Sequence, residues 1–206
     1  MSDVDPLLVE VPERLETARL VLRAARAGDG EAVRAAVLDT FEALRPWMPW
    51  ARHEPTVDAQ ESYCRRQQAL FTLREELTWF VYERGSDGPA GPVLGAVGLH
   101  HIDWKLRRFE LGWWRRSGLE HLGIAAEAAD SVLRLVFDRL GGRRLEVRMD
   151  DTNAASRRLA ERLGFTDEGL LRLDSATPGG EPRSTRIYAR VRGVEEAPSG
   201  ETGPGG

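Results

Sequence analysis

The sequence has a single cysteine, Cys64, among its 206 residues. One cysteine cannot form a disulfide within the chain, which is usual for proteins of the reducing cytoplasm. We therefore expect a cytoplasmic protein and interpret Cys64 as a packed apolar residue rather than a nucleophile. Four scattered histidines and one cysteine show no ligand spacing typical of a metal site, so no metal is expected.

Long apolar runs and an excess of basic charge are also missing. No segment is long and apolar enough to cross a membrane, and no signal peptide precedes the first charged residues. The formal net charge is −4, which provides no general positive field for duplex DNA. Neither a membrane nor DNA is therefore expected as a partner.

The chain divides into an arm, one domain and a tail. Residues 1–13 are acidic and carry two prolines, and we interpret them as a flexible N-terminal arm. Residues 14–192 carry regular hydrophobic patterns and are numerous enough to bury a core. Residues 193–206 are rich in Glu, Pro, Gly and Ser and have little to bury, so a disordered tail is expected.

Hydrophobic periodicity predicts strands and helices in this domain. Strands are predicted at residues 15–24, 78–83, 93–102, 107–114, 145–149, 169–173 and 186–192. Helices are predicted at residues 29–40, 59–76, 125–140 and 154–163. Short connections between the second, third and fourth strands indicate an antiparallel meander. The fold class is therefore α+β.

The stretch 109–165 reads as strand, turn, helix, strand and short helix, a βαβ unit. The first N–H groups of its main helix, near Gly123, would be free, and the helix dipole makes that point mildly positive. The turn is either a phosphate site or an ordinary connection that needs glycine for its geometry.

Seven segments carry a family resemblance when they are taken in order. Four lie in this stretch: Glu110-Leu-Gly-Trp-Trp114, Gly123-Ile-Ala-Ala-Glu127, Asn153-Ala-Ala-Ser156 and Leu163-Gly-Phe165. Three lie upstream: Thr17-Ala-Arg-Leu-Val-Leu-Arg23, Pro46-Trp-Met-Pro-Trp50 and Gly98-Leu-His-His-Ile-Asp-Trp104. Their order and spacing resemble the GNAT superfamily of N-acetyltransferases, and within it the Rim-type (RimJ/RimL-like) ribosomal-protein N-terminal acetyltransferases. The resemblance covers residues 15–190.

The resemblance implies a single GNAT-type domain with a mixed, mostly antiparallel sheet of about seven strands. Helices would cover both faces, and a V-shaped splay would separate the fourth and fifth strands. The implied activity is that of an acetyl-CoA-dependent N-acetyltransferase, an acyltransferase in which a primary amine attacks directly in a ternary complex.

The acceptor implied by this branch is a protein N-terminal α-amine, with a small-molecule amine left open, and a homodimer is expected. Two other kinds of protein are alternatives. One is a catalytically weakened GNAT-fold module that binds an acyl-CoA or a partner, and the other is an interaction protein built on the Trp-rich loop.

The resemblance assigns acetyl-CoA to two backbone segments. The helix start would hold the pyrophosphate, and the fourth strand would pair with the pantetheine, with an N–H near Leu111 or Gly112 on the acetyl oxygen. The cofactor-binding residues expected are Leu111, Gly112, Trp113, Trp114, His121, Leu122, Gly123, Ile124, Ala125, Ala126, Asn153 and Ser156.

Glu120 and His121 depart from the usual loop of the family, which has a basic or amide residue and often a further glycine here. A carboxylate beside the phosphates would be repulsive by about 1 kcal/mol, so weaker acetyl-CoA binding is expected than in relatives with the usual loop. His121 is interpreted as a phosphate contact. Four arginines are candidates to offset the repulsion: Arg115, Arg116, Arg157 and Arg158.

Ser156, Glu110 and Asn153 are the catalytic candidates. By resemblance the Ser156 hydroxyl protonates the departing thiolate, although its spacing from Asn153 also suits an N-cap and its N3 partner. Glu110 is either a general base that acts through water or the ion-pair partner of Arg107 or Arg108.

Trp47, Trp50 and His100 are expected at the acceptor site. Strand alternation directs one of His100 and His101 into the site, unless both are structural. The tryptophans would form one wall of the groove or else cover the edge of the core. Asp174 is a further candidate for the base.

Overall fold

A computed structural model describes residues 5–86 and 91–194. Its strands are β1 Arg14–Glu16, β2 Leu20–Ala24, β3 Leu77–Glu83, β4 Gly95–Asp103, β5 Arg108–Arg115, β6 Arg144–Asp150, β7 Thr166–Ala176 and β8 Pro182–Val191. Its α-helices are α1 Gly30–Leu38, α2 Phe41–Leu44, α3 Val57–Leu73, α4 Ile124–Arg134 and α5 Ala154–Arg162. A π-helical turn, Leu135–Arg139, extends α4.

The strands form one sheet in the order β1-β2-β3-β4-β5-β6-β8-β7, and among the described residues only the β5–β6 pair is parallel. The sheet has eight strands rather than about seven because segment 15–24 folds back on itself. Thr17 makes this turn: its N–H donates to the Leu20 carbonyl oxygen at 2.9 Å, and its hydroxyl accepts from the Leu20 N–H at 2.9 Å. The other predicted strands and helices are present with shifted ends.

Helices cover both faces of the sheet, as expected, and β3 shows why. Trp79 and Val81 lie in the larger core with α4, whereas Phe80 and Tyr82 lie in a second core with α1 and with Cys64 of α3. Successive side chains of a strand point to opposite faces, so β3 is buried on both sides. Burial also raises the pKa of the Cys64 thiol to about 12, which fits the packed role expected for it.

β5 and β6 are paired over only three positions, from Arg108 opposite Arg144 to Glu110 opposite Glu146. Beyond that point β5 stays paired with β4, and β6 stays paired with β8 along its whole length. The two strands therefore separate and leave one edge of each unpaired. This is the V-shaped splay expected between the fourth and fifth predicted strands.

The described part of the expected N-terminal arm packs on the domain. Pro6–Leu8 form a short 3₁₀ helix, Val11 is buried, and the Trp79 indole N–H donates to the Pro12 carbonyl oxygen at 3.0 Å. The tail from residue 195 and part of the connection between the second and third predicted strands lie outside the described residues. The domain limits 1–13, 14–192 and 193–206 stay predictions. None of the described helices combines the length and apolar character that a membrane span needs.

A buried ion pair holds the start of α1. The Arg23 guanidinium donates to the Asp29 carboxylate at 2.7 and 3.1 Å and to the Tyr82 hydroxyl at 2.6 Å, and all three side chains are buried. Asp29 therefore begins the helix as predicted, but its carboxylate binds Arg23 instead of capping the helix. The pair ties β2, β3 and α1 together.

Asp29→Asn should lower the free energy of unfolding by about 3–5 kcal/mol, because it removes the charge that faces the buried Arg23 guanidinium. Denaturant unfolding followed by circular dichroism measures this loss. Asp130→Asn is the control, since it removes an exposed pair with Arg134 and should change stability by about 0.5 kcal/mol or less. Equal losses in the two variants would contradict a structural role for the buried pair.

Candidate active site

A cleft of about 710 Å³ opens from the splay between β5 and β6. Its walls come from β3 to β6, from α1 and α3, from the loop after α2, from the start of α5 and from the β7–β8 hairpin. The predicted site residues that line it are Trp47, Trp50, His100, Glu110, Leu111, Gly112, Trp113, Trp114, Asn153 and Ser156. The structure thus brings three segments to one place: the end of β5, the start of α5 with Ser156, and the loop 45–50 with Trp47 and Trp50, called here the tryptophan loop.

Residues 121–126 do not line this cleft; they form the turn before α4 and the first residues of that helix. Gly123 is the N-cap in a left-handed conformation, with φ 71°, and no side chain caps this end. The Glu127 N–H donates to the Gly123 carbonyl oxygen at 3.0 Å, so the N–H groups of the first helical residues before it have no α-helical acceptor. Free donors at the positive end of a helix, without a side chain on the capping residue, fit a pyrophosphate.

The side chains of this segment are placed unevenly. His121 and Leu122 are exposed, whereas the Ile124 side chain is buried in the main core. Ile124 therefore has only its backbone to offer a ligand. Ala125 and Ala126 are half-buried and leave the helix start uncrowded.

Glu120 is bound to Arg115 in this loop. Its carboxylate accepts from the Arg115 guanidinium at 2.5 Å and from the Gly118 N–H at 3.2 Å, and the Arg115 contact is the main reason that the pKa of Glu120 is lowered. Arg115 thus offsets the negative charge of Glu120, but this ion pair leaves less of the arginine's positive charge for a bound phosphate. Of the other candidate arginines, Arg116 binds Asp39 and Arg157 donates to the Tyr188 hydroxyl at 3.4 Å.

Arg19 is a cation that the sequence did not indicate as a site residue. Its guanidinium would lie 3.5 Å from a Cβ built on Gly123, and it binds the Glu127 carboxylate of the first turn of α4 at 2.5 Å. The Thr17 hydroxyl donates to the same carboxylate at 2.5 Å. Thr17 and Arg19 both belong to segment 17–23, which carried part of the family resemblance. Their role at the start of α4 was missed because a turn at this point was not predicted.

Asn153 and Ser156 form the start of α5. The Asn153 side-chain oxygen accepts from the Ser156 N–H at 3.1 Å, so Asn153 is an N-cap. The Ser156 hydroxyl makes no hydrogen bond to any described residue, and it faces the cleft. The cap therefore holds in place a hydroxyl that is free to act on a ligand.

Glu110 is paired with His101 rather than with Arg107 or Arg108. The Glu110 carboxylate lies 2.9 Å from the His101 Nδ1. His101 is at a β-bulge with φ 45°, and its side chain is 80% exposed, so of the two histidines it is His100 that lines the cleft.

Several polar residues of the cleft were not singled out in the sequence. Glu76 and Asp150 join Glu110 and Asp174 as acidic groups of the lining. Arg183 donates to the Trp47 carbonyl oxygen at 3.2 Å and thereby ties the β7–β8 hairpin to the tryptophan loop. No local sequence signal predicts this, because β8 reaches the cleft only by inserting between β6 and β7.

Comparison with known proteins identifies the family. The sequence model of the acetyltransferase (GNAT) domain matches residues 19–166, which include the splay between β5 and β6, the start of α4 at Gly123, and Ser156. The chain belongs to the GNAT acetyltransferase family. The expected fold, the enzyme class and the use of acetyl-CoA as co-substrate are thereby confirmed.

Two curated relatives come from Bacillus subtilis (strain 168). The uncharacterized N-acetyltransferase YoaA is 28% identical over 184 residues, covering 86% of this chain and 96% of YoaA. The putative ribosomal N-acetyltransferase YdaF is 25% identical over 157 residues, covering 74% and 81%, and it supports the Rim-type branch. A solved structure of the microcin C7 self-immunity acetyltransferase MccE, in complex with acetyl-CoA and AMP, shares the fold with a TM-score of 0.80 at 18% identity, covering 88% of this chain and 97% of MccE.

Glu120→Gln should tighten acetyl-CoA binding by about two- to five-fold, because it removes a negative charge from the loop and releases Arg115. Isothermal titration calorimetry at two salt concentrations measures the change, which should shrink at the higher one. Glu168→Gln is the control, since it also removes an arginine-bound glutamate but lies on the edge strand β7. An unchanged affinity in Glu120→Gln would show that this carboxylate does not oppose binding.

Proposed function

We propose that this acetyltransferase modifies the α-amine at the N-terminus of a protein. The observation that carries the proposal is the course of the cleft, which runs from the splay to a wall formed by Trp47, Met48 and Trp50. Trp50 is half exposed, so the wall is open at its outer end. An open apolar wall suits an extended peptide better than a highly charged sugar. The similarity to YdaF, a putative ribosomal N-acetyltransferase, supports the same acceptor class.

The acidic lining supports an acceptor that arrives as an ammonium ion. The side chains of Glu110 and Asp150 are only 21% and 10% exposed, and they face the cleft together with Glu76. An α-amine has a pKa near 8, so much of it is protonated at neutral pH. These carboxylates would attract the ammonium, and a group in the cleft must then remove its proton before the nitrogen can attack.

The described residues divide the work of the transfer. Bound acetyl-CoA supplies a thioester whose carbonyl carbon accepts the amine. The N–H groups at the start of α4 bind the diphosphate, and an N–H near Leu111 or Gly112 holds the acetyl oxygen. The Ser156 hydroxyl gives a proton to the departing sulfur. Attack is direct, because the only cysteine is fully buried and its thiol pKa is raised, which leaves no thiolate to carry an acyl group.

Acetyl transfer to matched peptides tests the proposal. One peptide has a free N-terminus and no lysine, the second is the same peptide with its N-terminus blocked, and the third is the blocked peptide with one lysine added. Thiol release and peptide mass should show acetylation of the first peptide alone. Product from the lysine peptide alone would contradict an α-amine acceptor.

A small-molecule amine is the second candidate acceptor. The cleft volume of about 710 Å³ lies within the range of small-ligand sites, and this observation favours it. Acetylation of a small amine with no peptide product would support this candidate. If acetyl-CoA binds but no thiol is released from it with any amine, the weakened binding module would be supported instead. The homodimer and the cytoplasmic location stay predictions.

Ser156→Ala should lower kcat by about 10²-fold, as removal of a general acid does. Its melting temperature should stay close to that of the wild type, because the hydroxyl makes no hydrogen bond to the described residues. Steady-state kinetics and thermal unfolding measure the two effects. The control is Ser131→Ala, which removes a hydroxyl that donates to the Ala128 carbonyl oxygen in α4, outside the cleft lining. An unchanged kcat in Ser156→Ala would remove the serine from the mechanism.

A further inference from the structure

Two glycines that face each other leave a slot in the floor of the cleft. Gly98 of β4 and Gly112 of β5 are paired in register. The His100 imidazole fills this slot, because its Nε2 lies 3.0 Å from the position of a Cβ on Gly98 and 3.4 Å from that of a Cβ on Gly112. Gly112 comes two residues after Glu110, where pairing of β5 with β6 stops. The His100 Nε2 therefore lies at the vertex of the splay.

A chain of polar contacts holds the opposite side of the ring. The Thr78 hydroxyl donates to the Gln67 side-chain oxygen at 2.7 Å, and the Gln67 amide donates to the Glu76 carboxylate at 3.0 Å. The same Glu76 oxygen lies 3.6 Å from His100 Nδ1, within ion-pair range. Gln67 and Thr78 are buried, so the contact chain is anchored inside the fold. A carboxylate facing Nδ1 favours the tautomer with its proton there, which leaves the Nε2 lone pair toward the cleft.

The second glutamate–histidine pair is less suited to proton removal. Glu110 is the cross-strand neighbour of His100, yet its carboxylate contacts His101 at 2.9 Å. That histidine is largely in solvent. Glu110 would have to give up this contact before it could bind the proton of an amine, whereas the His100 Nε2 has no partner to lose among the described residues.

We propose that His100 is the base that takes the proton from the acceptor amine, and that Glu76 is the residue that positions it. The inference deepens the proposed function, since it concerns the same cleft, but it requires only an amine acceptor of any size. Nε2 accepts one proton from the ammonium. The nitrogen then forms its bond to the acetyl carbon while the carbon–sulfur bond breaks. The second proton leaves the nitrogen and reaches the sulfur through the Ser156 hydroxyl, and His100 releases the first proton to water.

The other charged and titratable groups of the cleft lining come from each element around it. They are Tyr63 of α3, Glu76 before β3, Glu110 of β5, and two ion pairs, Arg148–Asp174 at 3.7 Å and Arg183–Asp150 at 3.9 Å. Burial raises the pKa of the Tyr63 hydroxyl, so this group stays neutral. The contact with His100 is the main reason that the pKa of Glu76 is lowered, so Glu76 stays ionised. An ionised Glu76 attracts the Nδ1 side of the imidazole at 3.6 Å, so its removal should leave the ring less well oriented.

The dependence of kcat/KM on pH tests this assignment, with the amine that the wild type acetylates. His100→Gln should lower kcat by about 10²-fold and replace the acidic limb of the wild type by one set by the ionisation of the amine itself. Glu76→Gln should keep the wild-type limb and lower kcat by a smaller factor with little change in KM, because the base is present but less well positioned. Glu110→Gln should keep the wild-type limb as well. His53→Gln is the control, because His53 is exposed and outside the cleft lining. An unchanged pH profile in His100→Gln, or loss of the wild-type limb in Glu110→Gln, would overturn the proposal.

Two further measurements separate a chemical role from a structural one. Acetyl-CoA affinity and melting temperature should change little in His100→Gln. In His100→Ala, which leaves an open slot, added imidazole should restore part of the turnover, and failure of this rescue together with a lowered melting temperature would indicate a structural histidine. If the wild type acetylates only small amines, the peptide proposal fails, while the tests of His100 proceed with those amines.

Discussion

The site depends on how the two hydrogen-bonding edges of β5 and of β6 are paired. A strand has two hydrogen-bonding edges, and each of these strands is paired along its outer edge, β5 with β4 and β6 with β8. Only three register positions join β5 to β6. Because sheets twist, strands held so firmly on their outer edges separate where their mutual pairing stops. The resulting gap exposes backbone groups that a linear substrate can use, and the other parts of the site lie around it.

The short connection after β6 places candidate catalytic residues at the splay. β6 ends at Asp150 and α5 begins at Ala154, so the Asn153 cap and the Ser156 hydroxyl are held at the open end of the splay. On the β5 side of the splay, Gly98 of β4 and Gly112 of β5 are paired and leave room for the His100 imidazole at the vertex. The two candidate proton-transfer groups are therefore held by separate parts of the structure, Ser156 by the Asn153 cap and His100 by the slot between the glycines and by Glu76.

Paired charges explain why the loop beside α4 tolerates an acidic residue. Glu120 is bound to Arg115, and Glu127 of the same helix start is bound to Arg19 and Thr17. Each carboxylate thus lies within a contact that lowers its pKa, although burial opposes this at Glu127. The loop keeps its free backbone donors while its side-chain charges are largely balanced, and the weaker acetyl-CoA binding expected from the departure stays a prediction.

Local patterns in the sequence were sufficient for the elements and for much of the candidate site. Alternation and helical periodicity located the strands and helices, and the Asn153 cap followed from local chemistry, since a cap depends on residues a few positions apart. The family resemblance added the splay and Ser156.

Only the tertiary structure decided the contacts between distant segments. It placed β8 beside β6, brought Arg19 next to Gly123, gave Glu110 a histidine partner and brought Glu76 and His100 together. These contacts join residues from separate elements, and their geometry follows from strand register, a bulge at His101 and packing on both faces of the sheet. Such features are set by the whole chain at once, because a periodic pattern specifies which face a residue takes but not which distant residue meets it.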